Sequence, residues 1–362
     1  MKKSRLFTYS GLDDYKLHAQ RALRRTLKNE RQHGMRILRE TIGESVQVWE
    51  QGGRYHAIVL EGTGTEPLAA DGCDPFERNP EKYFGVGISS IAVIANDFGT
   101  CGWGPGVYVS YAAVQSGAWM DYKRRSQMLL NGQAHACNEI GCCWVGGETP
   151  GLRGIIEHGT IDIAGAMYGM LEGEPIRERI AAGDRIIILH SRGIHDNGFT
   201  DCRELAQKLP RGYKTRIQPG LTYGDALLIP TTLYVGVVSE MMRIGVPIHY
   251  AANITGHGWM KLMRAKRQFS YVIERIPQPQ PIFPFLQEKL NLTHREMFQK
   301  FNMGGGFALI VPPKAEVLDT VRQVCKKHRI DWTDAGPVER GKRAVHIVPL
   351  GIDYAGSELN IR

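Results

Sequence analysis

Runs of apolar residues and strict apolar–polar alternation mark different kinds of element, and this chain contains both. Val46 to Trp49 and Tyr55 to Leu60 read as two strands, and Gln51-Gly-Gly-Arg54 between them carries the Gly-Gly of a tight hairpin. Ile91 to Ala95 is a continuous apolar run ended sharply by glycines, the pattern of a buried element rather than a half-exposed one. Ile161 to Tyr168 is a small-residue apolar strand with Asp162 inside it, and Gly183 to His190 is a buried strand. Helical patterns fall in the second half of Tyr108 to Leu130, in Thr200 to Leu209, in Tyr223 to Arg243 with a break at Pro230, and in Glu316 to Lys327. A helix is expected from about Asp14 to Glu40, capped by Asp13 or Asp14. Its stripe of Leu17, Leu23, Leu27 and Leu38 is thin, so it packs weakly or on a partner. Phe301 to Val311 is a glycine loop feeding a strand, and Val345 to Leu350 is the final strand. Pro75 to Pro80 is a loop, and Ile276 to Phe285, with four prolines, is an extended connector.

These elements predict an α+β fold with more than one sheet, not a regular βαβ series. The 362 residues suggest two domains. Glu172-Gly-Glu-Pro175 marks the boundary, which gives an N-terminal domain at 1–172 and a C-terminal domain at 173–362.

Charge sharpens the picture at one end. The net charge is +8, and residues 1–40 hold eleven Lys or Arg against four acids, so this arm carries nearly all of it. Such an arm binds nucleic acid, draws in phosphorylated small molecules, or forms a solvated helix face; no nucleic-acid motif accompanies it. The seven cysteines are an odd number at irregular spacing, which fits reduced thiols in a cytosolic enzyme. His135, Cys137, Cys142 and Cys143 form the one dense soft-ligand cluster, without the C-x₂-C spacing of common zinc sites. There is no signal-peptide core, and no uninterrupted apolar segment reaches the ~18 residues of a membrane span. A soluble, cytoplasmic protein without a membrane partner is expected.

The candidate chemistry lies in glycine-rich loops. Asn96 and Asp97 stand at the end of the apolar run, where Asp97 either holds a hard cation such as Mg²⁺ or caps the next segment. The glycines from Gly99 to Gly106 would leave backbone N–H groups open to an anion. Glu61-Gly-Thr-Gly-Thr-Glu66 follows a strand directly, a common way to meet phosphate, though it is no P-loop. Gly146-Gly-Glu-Thr-Pro150 places a second carboxylate among glycines. Ser191 to Gly198, between a strand and a helix N-terminus, has the anion-binding arrangement and carries His195 and Asn197. Asn253 to Gly258 adds a hydroxyl and an imidazole.

Taken together, the loops resemble the aminoimidazole ribonucleotide synthetase (phosphoribosylformylglycinamidine cyclo-ligase) family. Leu60-Glu-Gly-Thr-Gly-Thr-Glu66 resembles its T-D-G-V-G-T-K, Ala95-Asn-Asp97 its V-N-D, and Gly146-Gly-Glu-Thr149 with Pro150-Gly151 its G-G-E-T…P-G. Thr160 to Gly165 resembles D-Y-D-L-A-G, Ser191 to Phe199 S-S-G-L-H-S-N-G-F, and Leu228-Ile-Pro-Thr231 with Tyr234 L-T-P-T-R-I-Y. Asn253 to Gly258 resembles H-I-T-G-G-G, and Asn302-Met-Gly304 resembles N-M-G. Eight short tags in the right order make a specific signal.

The resemblance implies an N-terminal α/β domain that dimerises through its sheet, a C-terminal α+β domain, and a homodimer that takes ATP, Mg²⁺ and a phosphorylated small-molecule substrate. The implied reaction phosphorylates an amide oxygen, turning it into a leaving group for an internal amine. The implied catalytic residues are His195, Asn197 and Asp97. Glu61, Gly62, Gly64, Thr65, Asn96, Gly147 and Thr149 would hold ATP. Ser191, Gly193, Asn253, Thr255 and Gly256 would hold the substrate, and Asp97, Glu148 and Glu61 the metal. Glu66 stands where the family has Lys, which would set like charge against the ATP phosphates unless Lys16 or Arg21 compensates. Glu61 replaces an Asp, Asn253 a His, and His257 a Gly. These departures leave two alternatives: an ATP-dependent enzyme of the same superfamily acting on another amide or acid, or a protein that keeps the fold without catalysis.

Overall fold

The computed structural model of the chain describes residues 10–74 and 79–359, with the side chains of residues 10–13 left out. Lys2, Lys3 and Arg5 of the basic arm, the Asp13 side chain and most of the Pro75–Pro80 loop lie outside the described residues. The first half runs α1 (Ser10–Arg24), β1 (Met35–Ile37), β2 (Gln47–Gln51), β3 (Arg54–Gly62), α2 (Glu66–Cys73), α3 (Glu81–Gly99), β4 (Val107–Val114), α4 (Ala118–Asp121), α5 (Lys123–Ile140), β5 (Cys143–Glu148) and β6 (Ile161–Met170). Its six strands form one sheet in the order β1-β2-β3-β6-β4-β5.

The expected hairpin joins β2 to β3. Gly52 and Gly53 both have positive φ, 59° and 75°, as its tight turn requires. The expected N-terminal helix is shorter than its pattern. It stops at Arg24, and after a 3₁₀ stretch the chain turns into β1 at Gly34, whose φ is 60°. The cause is tertiary: the Glu30 carboxylate takes the Ile37 N–H at 3.0 Å and pairs with Arg39 at 2.6 Å, holding the chain extended. The buried element expected at Ile91 to Ala95 is the middle of α3, buried all round. The same apolar continuity suits either element, and length decides for the helix. α3 crosses α5 closely because Gly87 and Gly132 face each other's helix. A Cβ on Gly87 would lie 2.2 Å from the Leu129 carbonyl oxygen, and one on Gly132 2.1 Å from that of Phe84.

The second half runs β7 (Arg185–His190), α6 (Phe199–Lys208), β8 (Arg216–Gln218), β9 (Leu221–Thr222), α7 (Tyr223–Leu227), α8 (Val235–Arg243), β10 (Tyr250–Asn253), β11 (Phe269–Ile273), α9 (Ile282–Leu290), α10 (His294–Lys300), β12 (Gly305–Val311), α11 (Ala315–Lys327), β13 (Trp332–Arg340), β14 (Ala344–Ile347) and β15 (Ile352–Ala355). Seven strands form its main sheet, in the order β10-β12-β7-β13-β11-β14-β15. The connector expected at 276–285 is irregular only as far as Gln280: Pro281 caps α9, and Pro284 sits in its first turn, where a missing N–H costs nothing. The last strand is β15, not Val345 to Leu350, since Val348–Leu350 is a 3₁₀ turn.

β7 shows why its sequence is an unbroken Ile-Ile-Ile-Leu. Ile186 and Ile188 belong to one hydrophobic cluster and Ile187 and Leu189 to another, so both faces of the strand are covered. Two α+β layers around separate sheets confirm the α+β reading.

Candidate functional site

A cleft of about 520 Å³ opens between the halves. α1 contributes Lys16 to its wall, the end of β3 Glu61 and Gly62, and α3 Asp97. The loop after β7 contributes Asp196 and Asn197, and the segment after β10 brings Thr255, Gly256, His257, Lys261 and Arg264. Glu61 and Gly62 end β3, Asp97 lies in the last turn of α3, and the 191–198 and 254–257 segments follow β7 and β10, so the two sheets and α3 fix most of the wall.

One wall is acidic. Asp97 is buried in the last turn of α3, and its Oδ1 accepts the Asn253 Nδ2–H at 2.7 Å. Glu61 keeps much of its surface open to solvent, but its carboxyl is recessed in the cleft. That recess, then the nearby Asp97 charge, hold it above the usual carboxylate range. The other wall is cationic. Lys261 is buried and donates to the Thr255 hydroxyl. Burial, then the neighbouring Arg264, bring its ammonium down to about 8. Burial and the Lys261 and Arg264 charges bring His257 down to about 4, so this imidazole is neutral near pH 7. Carboxylates beside ammonium and guanidinium groups form a surface that can take a hard cation and phosphate oxygens together.

The structure therefore gathers Asp97, Glu61, Gly62, Asn197, Asn253, Thr255 and Gly256. Gly64, with φ 60°, and Thr65, the cap of α2, follow in the same loop but line no part of the cleft. Other expected residues lie elsewhere. Asn96 joins the halves: its Nδ2 donates to the Thr232 carbonyl at 2.8 Å and its Oδ1 accepts the Tyr234 N–H at 2.7 Å. His195 is buried behind the wall with φ 55°, its ring 6.0 Å from that of Tyr234 and close against Gly306. Burial alone lowers it to about 3, so it stays neutral. Ser191 donates to Asn302 Oδ1 at 2.8 Å, and Asn302 Nδ2 donates to the Gly193 carbonyl at 2.9 Å; this network shapes the loop from behind.

Gly147 and Glu148 are not in a loop but on β5, the sheet-edge strand, and Thr149 follows it; none lines the cleft. Gly147 is required by packing, since a Cβ there would lie 2.1 Å from Ser110 Oγ. Glu61, Asp97 and Glu148 are thus not gathered as one metal set, and among the described residues no group of three or more His, Cys, Asp or Glu is placed to hold a metal. The expected anion-binding glycines at 99–106 are scaffold: the N–H groups of Cys101, Gly102 and Gly106 go to the carbonyls of Phe98, Gly99 and Tyr168. In the cysteine cluster, Cys137 and Cys142 are buried with their thiols hydrogen-bonded to each other, Cys143 is exposed, and His135 faces Glu139 at 3.8 Å.

Glu66 departs most from expectation. It is 1% exposed, lines no part of the cleft, and meets Asp196 and Ser89. It opens α2 and turns inward, so it sets no charge against a ligand in the cleft. Of the two cations named to offset it, Lys16 lines the cleft and Arg21 does not. Sequence reasoning missed Lys261 and Arg264. Their one signal is a Lys and an Arg within the otherwise apolar Trp259-Met-Lys-Leu-Met-Arg264.

Fold and cleft together define the class: two α+β halves, each on its own sheet, closing on a groove of paired acids and cations. The sequence profile described as AIR synthase related protein, N-terminal domain, matches residues 49–171, and that of the C-terminal domain matches residues 181–349. The chain belongs to this AIR synthase related family, and kinship makes it an enzyme of the ligase kind. The phosphoribosylformylglycinamidine cyclo-ligase of Synechococcus sp. (strain CC9605) is 32% identical over 300 residues, covering 78% of this chain and 84% of the relative. That of Methanococcus maripaludis (strain C6) is 29% identical over 334 residues, covering 91% of each. Among solved structures, AaThiL in complex with AMPPCP and TMP superposes with a TM-score of 0.60 at 18% identity, covering 94% of this chain and 95% of its own. The hydrogenase maturation protein HypE of E. coli gives 0.56 at 15%, covering 83% and 84%. These two likenesses speak for the fold. No helix of the described residues is long and apolar enough to cross a membrane.

Proposed function

We propose that the chain is an ATP- and Mg²⁺-dependent cyclo-ligase of purine synthesis that converts formylglycinamidine ribonucleotide to aminoimidazole ribonucleotide. The observation that carries this reading is the two-sided cleft: Glu61 and Asp97 on one wall, Lys16, Lys261 and Arg264 on the other. The donor set fits the metal, because Mg²⁺ binds through one or two carboxylates and completes its shell with water and phosphate. When bound, Mg²⁺ would neutralise phosphate charge during transfer to the amide oxygen. Asp97 is aimed by Asn253. Asn197 stands on the wall, where its side-chain amide would meet a substrate carbonyl; among the described residues its Nδ2, now buried, has no acceptor. Lys16, Lys261 and Arg264 would take phosphate oxygens. His195 holds the loop behind Asn197.

The first-half sheet supports the homodimer part of the proposal. Its outer face leaves Ile58, Leu60, Val109, Tyr168 and Met170 exposed, and Val145 on β5 beside them. A second copy on this face would cover them, and Gly147, Glu148 and Thr149 would then act at the interface between copies. The non-catalytic alternative loses its reason, since Glu66 is not in the cleft.

The test is calorimetric titration with a non-hydrolysable ATP analogue, with and without Mg²⁺, on the wild type and Asp97→Asn. An assay for aminoimidazole ribonucleotide follows. Mg²⁺-dependent binding that weakens at least tenfold in the variant, with product formed by the wild type, is the expected result. Binding and ATP turnover without that product would reassign the substrate, and no binding at millimolar analogue would overturn the reading.

A further inference from the structure

Glu66 and Asp196 meet where the two halves touch. Glu66 is the first residue of α2, directly after the 61–65 loop of the first half. Asp196 stands between His195 and Asn197 in the second half. Their carboxyls are hydrogen-bonded to each other. Glu66 has one further donor, and Asp196 two, one of them its own backbone N–H. The Thr231 hydroxyl donates to Asp196 Oδ2 at 2.7 Å. Ser89 on α3 donates to Glu66, while its own oxygen accepts the Thr231 N–H at 3.1 Å. Glu66 Oε2 and Asp196 Oδ1 are buried and receive no N–H or O–H from the described residues. An ionised carboxylate only accepts, so two of them can be hydrogen-bonded together only through a proton carried by one.

We infer that Glu66 and Asp196 share one buried proton, and that this bridged pair is a positioning device, holding the 191–198 loop, and Asn197 with it, against the first half. The inference goes beyond the proposed reaction and does not depend on it. The surroundings leave the proton no substitute. Of the elements against α2, α3 supplies Ser89, α6 carries Asp201, already paired with Lys300 at 2.6 Å, and α7 carries Asp225, paired with Lys82 at 2.7 Å. Tyr213, from the turn before β8, lies against Gly72 at the far end of α2. His195, next to Asp196, is buried and neutral. The cleft cations Lys16 and Lys261 bear on Glu61, and Lys261 on Asp97, not on this pair.

The sign of the pH dependence follows. Burial holds both carboxyls above their usual range, Asp196 up to about 6 and Glu66 well above an ordinary glutamate. The folded chain therefore keeps a proton that the unfolded chain has released, so stability falls as pH rises through the unfolded carboxylate range and beyond about 6. In Glu66→Gln the amide N–H donates to the Asp196 carboxylate with no proton to lose. Glu66→Ala removes the bridge at every pH.

The experiment reads the proton directly. Infrared difference spectra of the intact protein should show a protonated-carboxyl stretch that persists above pH 6 in the wild type and is absent in both Glu66→Gln and Asp196→Asn. The melting temperature of the wild type should fall between about pH 5 and 8 more steeply than that of Glu66→Gln. Glu66→Ala should lie below Glu66→Gln at every pH, and the loop's amide-exchange protection at Asn197 should follow the same order. A wild type with no such stretch above pH 5, a stretch that survives in both variants, or equal pH slopes in wild type and Glu66→Gln would overturn the inference. None of these readouts uses a ligand, so they stand apart from the test of the proposed reaction.

Discussion

The two sheets are built from similar residues and finished differently. The second-half sheet is covered on both faces at β10, β12 and β7, and β7 is apolar at four successive positions. The first-half sheet packs one face against α3 and α5 through Val48, Ala57, Val59, Tyr108 and Met167. It leaves the other to solvent, with Leu60 72% exposed. On β3 the alternation inward Ala57 and Val59, outward Ile58 and Leu60, is that of a one-sided sheet, except that the outward residues are apolar too. A two-sided apolar strand in a sheet covered on one side is the pattern of a face suited to a partner.

The comparison breaks most visibly at the covered sheet. Ile188→Ala removes a side chain enclosed on all sides and should lower unfolding free energy by about 2–5 kcal/mol. Denaturant titration checks it, and a loss under about 1 kcal/mol would show that β7 is less enclosed than its burial indicates.

The bare sheet should respond in the opposite sense. Leu60→Asp in a protomer alone touches little, so unfolding free energy should stay within about 0.5 kcal/mol. Association should not survive it: a charge placed in the centre of an apolar interface removes a contact and leaves an unpaired buried ion. Sedimentation at matched concentration should show a dimer for the wild type and a monomer for the variant. A monomeric wild type, or an unaltered variant, would leave the bare face without the partner assigned to it.

The sequence reveals such features unevenly, for physical reasons. The hairpin at Gly52-Gly53 and the strand at 185–190 are local, set by backbone freedom and by an apolar run of strand length. Asp97 was legible because a carboxylate ends a buried apolar segment. The type of that segment was not, since helix and strand share the pattern when buried all round. β13 went unread because Gly336 and Pro337 interrupt it. The structure accommodates them at a register shift opposite β7, between Asp334 and Gly336. Lys261 and the inward turn of Glu66 are tertiary facts. A Lys within an apolar stretch can point anywhere, and only the opposing acids of the other half give it a place. Glu66 was read as a charge facing the ligand because a loop position says nothing about which side of the loop a side chain takes.

The smallest effect gauges whether water reaches the bare face. Trp49, His56 and Tyr168 stack across its strands, and the Tyr168 hydroxyl lies 2.7 Å from His56 Nδ1. In an isolated protomer that bond is exposed, so water replaces it in Tyr168→Phe and the loss should stay within about 0.5 kcal/mol. Under a second copy, His56 Nδ1 would be left buried without a partner, at about 1–3 kcal/mol. Measured at a concentration that keeps the protein associated, Tyr168→Phe should therefore show the larger loss. In the Leu60→Asp background it should show the smaller. The difference between backgrounds is a coupling between two side chains of the same face, and it exists only if that face is covered. Equal losses in both backgrounds would mean that water reaches His56 in either state, and that the covering partner lies elsewhere.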